Sequence, residues 1–134
     1  MPKVLVITDS NWVINDVRAV LGIGDWDVEV LGDPHEVVPT IDEVVPDAVV
    51  IDLQIGSMGG MAVVREILSV MDQEERPRLV LLLDRTADSF LAKRAGADAW
   101  VVKPFEAHDL RVALEGVDAG APASDVGDVQ GTKR

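Results

Sequence analysis

Short apolar runs decide the fold, and the first of them is Val4-Leu5-Val6-Ile7-Thr8-Asp9. A continuous apolar run of this length indicates a strand that is buried on both faces. Two later stretches have the same character, Ala48-Val49-Val50-Ile51-Asp52 and the residues from Leu79 to Leu83. We therefore expect three interior strands in a sheet that is covered on both sides.

Two further segments are predicted to be strands. The segment from Trp26 to Leu31 alternates apolar residues with Asp27 and Glu29, which indicates an edge strand with one face in water. The segment from Ala99 to Val102 is the fifth run of strand length.

Helical patterns fill the intervals between these strands. One helix ends at Gly22 and a short one at Gly96, since glycine is a natural helix stop. Asp33 and Pro34 look like the cap and first turn of another helix, although Pro39 lies where that helix should continue. The last helix runs from Glu106 to Leu114. The residues that mark the other helices are Val13, Ile14, Val17, Val20, Leu21, Val64, Ile67, Leu68, Met71, Phe90, Leu91 and Ala95.

The alternation of strands and helices predicts an α/β fold. Repeated βαβ units build a doubly wound (βα)5 parallel sheet, for which we expect the flavodoxin-like strand order 2-1-3-4-5. This domain would occupy residues 1–116. Residues 117–134 have no period and few large side chains, so they are predicted to form a disordered tail.

Composition excludes several classes of protein. The chain has 24 acidic and 12 basic residues, a formal net charge of −12, and no cysteine. Disulfides, iron–sulfur clusters and thiolate zinc sites are therefore absent, and nucleic acid is an unfavourable partner because no basic cluster is present. The run from Leu79 to Leu83 is too short to span a bilayer, and no signal peptide is recognisable, so we expect a cytoplasmic protein.

Charged residues stand where the predicted strands end. Asp9, Asp52, Asp84 and Lys103 follow or close four of them, and the carboxyl edge of an open parallel sheet is where ligands bind. Grouped carboxylates with a cation would suit Mg²⁺. Each residue also has a structural interpretation: Asp9 and Asp84 could cap helices, and Lys103 could be a solvated strand end. Asp52 is followed by a glycine-rich loop instead of a helix, so capping does not explain it.

Three segments together resemble the receiver domains of two-component signalling. They are the strand that ends in Thr8-Asp9, the segment from Asp52 to the Met58-Gly59-Gly60 turn, and Ala95-Gly96-Ala97-Asp98-Ala99-Trp100-Val101-Val102-Lys103-Pro104-Phe105. The last is the most specific. The resemblance covers Lys3 to about Glu115.

The resemblance implies a role for each strand-end residue. Asp52 would be the phosphoacceptor for a histidine kinase or phosphotransfer protein, and Lys103 would contact the phosphoryl group. Asp9, Asp52 and the carbonyl of Gln54 would hold Mg²⁺. Trp100 would be the aromatic switch, and a downstream target would bind the face of the fourth helix, fifth strand and fifth helix. The Lys103–Pro104 bond is often cis in this family.

Departures from the family pattern predict altered chemistry. Thr8 replaces the first of two acids after strand one, so Mg²⁺ should bind weakly or not at all. Asp84 stands where the family has Ser or Thr, although the hydroxyl of Thr86 could substitute. The interval from Asp84 to Gly96 is shorter than usual, which remodels the fourth helix, and Gly56 replaces a loop proline.

Four hypotheses follow. The first is a stand-alone atypical receiver that acts through protein contacts, with impaired phosphorylation at Asp52; it would not be an enzyme beyond self-catalysed phosphoryl transfer. The second is a conventional Mg²⁺-dependent phosphorelay receiver in which Asp84 is tolerated or completes the metal site. The third is a phosphatase or mutase with an aspartyl nucleophile, which would want a second acid where Gln54 stands. The fourth is a flavin carrier, which the absence of tyrosine disfavours.

Overall fold

In the residues that the structure describes, five strands of one sheet alternate with five helices, and two short strands, Gln54–Ile55 and Met58–Gly59, pair with each other between the third strand and the third helix. The computed structural model describes residues 2–21, 26–55 and 58–116. The strands are β1 (Lys3–Ile7), β2 (Asp27–Leu31), β3 (Ala48–Asp52), β4 (Arg78–Leu83) and β5 (Ala99–Val102). The helices are α1 (Asn11–Leu21), α2 (Val37–Val44), α3 (Gly60–Val70), α4 (Ser89–Ala95) and α5 (Ala107–Glu115). Gly22, Gly56 and the tail of residues 117–134 lie outside the described ranges.

The strands form one parallel sheet in the order β2-β1-β3-β4-β5. This confirms the predicted fold class and strand order. Val6 of β1 lies opposite Val30 of β2 and Val50 of β3, so the apolar runs are in register. β2 is at one edge, where Asp27 and Glu29 are exposed, as its alternation predicted. In the described ranges, no helix is long and apolar enough to cross a membrane.

Each interior strand is buried on both faces because its residues alternate between two core layers. One layer lies under α2, α3 and α4, and the other under α1 and α5. The strand residues of the first layer are Leu5, Ile7, Val49, Ile51, Leu79, Leu81, Leu83 and Trp100. Those of the second are Val4, Val6, Ala48, Val50, Val80, Leu82, Ala99 and Val101. Because the strands pair in parallel, the carboxyl ends of β1, β3, β4 and β5 lie together at one end of the sheet.

The segment that contains Pro39 forms two short pieces of helix. Pro34–Glu36 is a 3₁₀ turn, capped by the side chain of Asp33, which accepts a hydrogen bond from the His35 N–H at 3.0 Å. α2 begins only at Val37, so Pro39 falls in its first turn. Backbone N–H groups there have no partner within the helix, and proline costs little.

Of the three side chains that predicted α4, only Ala95 is buried. Phe90 and Leu91 are 65% and 46% exposed, whereas Ala92 and Ala95 pack into the core. A seven-residue helix presents only a narrow buried face, and here small residues fill it. Gly96 ends the helix with a φ of 100°, a conformation that favours glycine.

A charged clamp joins the segment before β4 to the segment before β5. Arg76 donates two hydrogen bonds to Asp98, at 2.7 and 3.1 Å, and the Leu79 N–H donates a third at 2.8 Å. Burial alone would raise the pKa of Asp98, but these hydrogen bonds and the charges of Arg76 and Arg78 lower it below 3.8. The contribution of this carboxylate to stability is therefore present above pH 3.8 and is lost as the pH falls through its lowered value.

Val45, which follows α2, adopts the left-handed conformation with φ 52° and ψ 62°. It is 72% exposed, so little packing offsets the strain of a β-branched residue in this region. We expect Val45→Gly to raise the free energy of unfolding by about 0.5–1 kcal/mol, measured by urea denaturation.

Val70→Gly is the matched control, because Val70 is also exposed but ends α3. Glycine in a helix costs backbone entropy, so this variant should be less stable than the parent. A loss of stability in Val45→Gly similar to that in Val70→Gly would contradict the strain at Val45.

Candidate functional site

The carboxyl edge of the sheet brings four polar side chains into one hydrogen-bonded row. Thr8, Asp52, Asp84 and Lys103 lie at the ends of β1, β3, β4 and β5, in the order in which these strands lie in the sheet. The backbone holds the two ends of the row, since the Thr8 N–H bonds to the Leu31 carbonyl and the Lys103 N–H to the Leu83 carbonyl. We call these four residues the strand-end row.

Both carboxylate oxygens of Asp52 are engaged. Oδ2 accepts a hydrogen bond from the Thr8 hydroxyl at 2.8 Å, and Oδ1 accepts one from the Lys103 ammonium at 2.7 Å. Asp52 is only 3% exposed. A carboxylate in such a position needs partners of this kind, because an unpaired buried charge is strongly destabilising.

The Thr8 side chain is oriented from two sides. Its hydroxyl oxygen accepts a hydrogen bond from the Ser10 N–H at 3.1 Å, which leaves the hydroxyl proton for Asp52. Thr8 is also buried. A neutral hydroxyl donor therefore occupies the place that the family resemblance gives to an acid.

Lys103 joins two carboxylates. Its ammonium lies 2.7 Å from Asp52 Oδ1 and 3.0 Å from Asp84 Oδ1. Burial lowers the pKa of Lys103, but the hydrogen bonds to Asp52 and Asp84 and their charges outweigh it and raise the pKa above 10.5. Lys103 is thus a permanent cation at neutral pH, and the cis Lys103–Pro104 bond that the resemblance implied is present. The residue after β4 that reaches Lys103 is Asp84; Thr86 is exposed and begins a 3₁₀ turn.

Two further residues of the site were not assigned a role from the sequence. The Lys103 ammonium lies over the indole ring of Trp12, 5.6 Å from its centroid. Gly60 packs against the backbone of Asp52, where any added Cβ would collide with the Asp52 carbonyl oxygen. In the sequence, Trp12 differs from its neighbours only as an aromatic residue outside the apolar face of α1, and Gly60 only as a glycine where α3 begins.

The expected metal ligands are two carboxylates and one backbone carbonyl. Asp9, Asp52 and the Gln54 carbonyl supply oxygen, which Mg²⁺ prefers. Over the described part of the chain, however, no three Asp, Glu or His side chains are grouped as a metal site requires. Asp52 is already bonded to Thr8 and Lys103. The oxygen donors therefore match the ligand preference of Mg²⁺, while both oxygens of Asp52 also serve other partners.

Trp100 is buried in the first core layer. It lies opposite Leu81 in the sheet and is 6% exposed. Its Nε1 donates no hydrogen bond within the described ranges, which is unusual for a buried tryptophan. The predicted switch residue therefore sits against α4 and lies apart from the strand-end row.

The sequence is similar to a known family over almost the whole described domain. The family model of the response regulator receiver domain matches residues 4–115. The transcriptional regulatory protein TrcR of Mycobacterium tuberculosis is 30% identical over 116 residues, which are 86% of this chain but 44% of that relative. The chain therefore spans less than half of the length of this curated relative.

Solved structures of the same kind share the fold. The Vibrio cholerae chemotaxis protein CheY4 matches with a TM-score of 0.74 and 26% identity, over 87% of this chain and 98% of that one. The BeF3-activated N-terminal receiver domain of Klebsiella pneumoniae RstA matches with a TM-score of 0.73 and 25% identity, over 84% and 95%.

The hydrogen bond from Thr8 to Asp52 should contribute measurably to stability. Thr8→Val keeps the side-chain shape but leaves Asp52 Oδ2 without this donor and the Ser10 N–H without its acceptor, so we expect the free energy of unfolding to fall by about 1–3 kcal/mol in urea denaturation. Thr86→Val is the control, because Thr86 is exposed, and should change it by less than about 0.5 kcal/mol. Equal stability of the two variants would show that the bond is energetically neutral.

Proposed function

The chain belongs to the response-regulator receiver family of two-component signalling, and we propose that it is an atypical receiver that acts through protein contacts, with slow phosphorylation at Asp52. The single observation that carries this proposal is the closed strand-end row. Both oxygens of Asp52 are bonded, and Lys103 is shared with Asp84.

Phosphoryl transfer would use an oxygen of Asp52 that already accepts a hydrogen bond. That oxygen attacks phosphorus with its remaining lone pair, forms a P–O bond and breaks the bond from phosphorus to the donor's nitrogen or oxygen, whose group leaves with the electron pair. The Thr8 hydroxyl draws charge from Oδ2, and the Lys103 ammonium draws charge from Oδ1. Either oxygen is therefore a weaker nucleophile than a free carboxylate oxygen, which raises the barrier.

Asp84 adds a second obstacle. A phosphoryl group on Asp52 would bring negative charge towards Lys103, where the Asp84 carboxylate already lies 3.0 Å from the ammonium. Two anions would then compete for one cation. We infer that the phosphorylated form is less stable here than it would be with a neutral hydroxyl at position 84.

Mg²⁺ is proposed as a weak ligand of Asp9, Asp52 and the Gln54 carbonyl. When bound, the ion would reduce the repulsion between an anionic donor and the carboxylate. Thr8 in this chain contributes no charge to such a site, and Lys103 already neutralises part of the negative charge of Asp52 and Asp84. The expected affinity is therefore lower than that of a site with a full acidic pair.

The proposed partners are a histidine kinase or phosphotransfer protein and a downstream protein. Exposed Phe90 and Leu91 on α4 support the face of α4, β5 and α5 as the surface for the downstream target. Trp100 lies beneath α4, so a change in its packing would alter this face. The cytoplasmic location expected from the sequence stays a prediction.

Labelling with acetyl phosphate and Mg²⁺, followed by intact mass, tests the proposal. We expect only a small fraction of the parent to gain one phosphate in an hour. The double variant Thr8→Asp, Asp84→Thr should label at least about tenfold faster, because it removes the hydroxyl bond to Asp52 and the competing anion; tenfold corresponds to about 1.4 kcal/mol of barrier.

Asp52→Asn is the control and should label in neither background. Prompt stoichiometric labelling of the parent that Asp52→Asn abolishes would favour a conventional phosphorelay receiver. Slow labelling of the double variant would mean that positions 8 and 84 do not limit the chemistry.

Weak Mg²⁺ binding has a readout of its own. Trp12 lies beside Lys103, so we expect Mg²⁺ to change tryptophan fluorescence with a midpoint in the millimolar range, and the Thr8→Asp variant to bind more tightly. Asp9→Asn should abolish the change, and Trp12→Phe should remove the signal. No change in fluorescence or thermal stability at tens of millimolar would contradict the metal site.

A further inference from the structure

The Lys103 ammonium has three neighbours that stabilise a cation. An ammonium group carries three N–H donors. Hydrogen bonds to Asp52 and Asp84 account for two directions, and the ring of Trp12 lies on a third side, 5.6 Å from Nζ. This distance is within the range in which the negative face of an indole attracts a cation. The Lys103 side chain is only 11% exposed as a result of this crowding.

The packing of the fold does not explain the position of Trp12. Its neighbours Val13 and Val17 are fully buried and fix α1 on the sheet, whereas Trp12 is 50% exposed and belongs to neither core layer. A tryptophan left half in water forfeits much of its hydrophobic stabilisation. The feature that this position does provide is a ring over Lys103.

The Lys103 side chain extends across a neighbouring strand. The residue follows β5, at the edge of the sheet, yet its ammonium reaches across β4 to the end of β3. A long side chain with four rotatable bonds loses conformational entropy when it is held in one such arrangement. Contacts on several sides of the ammonium are needed to offset that cost.

We propose that Trp12 is a positioning residue that holds the Lys103 ammonium between Asp52 and Asp84. It acts through Lys103 and does not touch the reacting atoms. The importance of this role for phosphoryl transfer rests on the proposed function, in which Lys103 contacts the phosphoryl group. The placement of the ammonium by the ring can be tested without any phosphoryl donor.

A double-mutant cycle isolates the contact. Trp12→Leu keeps an apolar side chain but removes the ring, and Lys103→Met keeps the stem but removes the charge. We expect Trp12→Leu to raise the unfolding equilibrium constant about two- to five-fold more in the parent than in the Lys103→Met background. Trp12→Phe should recover part of this coupling. Trp26→Leu is the same substitution at the residue before β2, and it should show no coupling with Lys103→Met.

An NMR measurement keeps the proposal testable if Lys103→Met does not fold. The chain has four lysines, so a protein labelled only in lysine gives few signals to assign. We expect the ε-methylene protons of Lys103 to be shifted upfield by the ring, to move to the positions of the exposed Lys93 in Trp12→Leu, and to stay partly shifted in Trp12→Phe. Exchange of the Lys103 ammonium protons with water should be several-fold faster in Trp12→Leu.

The possible results of these two experiments distinguish a positioning role of Trp12 from a general effect on stability. Coupling that vanishes without the charge, together with the shift and its partial recovery in Trp12→Phe, supports the positioning role. Equal effects of Trp12→Leu in both backgrounds, or an unshifted Lys103 signal in the parent, would overturn it. Failure of phosphoryl labelling would count against the proposed function alone, because none of these measurements uses a donor.

Discussion

A buried carboxylate at the end of the central strand is the constraint on which the site depends. β3 is covered on both faces and paired on both sides, so Asp52 is removed from water by the same packing that stabilises the sheet. A charge in this position must be compensated locally. Thr8 and Lys103 supply the compensation, and they can do so because parallel pairing brings the ends of β1 and β5 to the same edge.

Much of the fold could be predicted because the interior strands are apolar at every position except one charged residue at an end of each. Unbroken runs indicate strands covered on both sides, and that is how β1, β3 and β4 pack. α2 was harder, since the effect of Pro39 depends on where the helix starts, and a 3₁₀ turn places that start at Val37. The buried face of α4 could not be predicted, because Ala92 carries almost no hydrophobic signal.

The candidate site, like the fold, was predicted only in part. The strand ends predicted that Asp9, Asp52, Asp84 and Lys103 would lie together, since backbone topology alone brings them to one end of the sheet, and ion pairs join the last three. The hydrogen bonds of the strand-end row depend on how far its side chains reach. Thr8 and Lys103 are 44 and 51 positions from Asp52 in the chain, and the periodicity of a sequence does not describe contacts over such separations. Thr8 could be recognised as a departure from the family, but its hydrogen bond to Asp52 could not. The ring of Trp12 over Lys103 has no sequence signature for the same reason.

Stability and reactivity oppose each other in this arrangement. The hydroxyl of Thr8 and the ammonium of Lys103 each donate a hydrogen bond to one oxygen of Asp52, and a carboxylate oxygen becomes a weaker nucleophile as hydrogen bonds draw charge from it. Asp84 extends the effect, because it supplies Lys103 with a second anion inside the protein, in the place where an entering phosphoryl oxygen would seek its contact. Compared with the family pattern, the hydroxyl at position 8 and the acid at position 84 leave the number of carboxylates at this end of the sheet unchanged, but place one of them beside Lys103 instead of after β1. Under the proposed function, the site would therefore favour its internal ion pair over an external phosphoryl group.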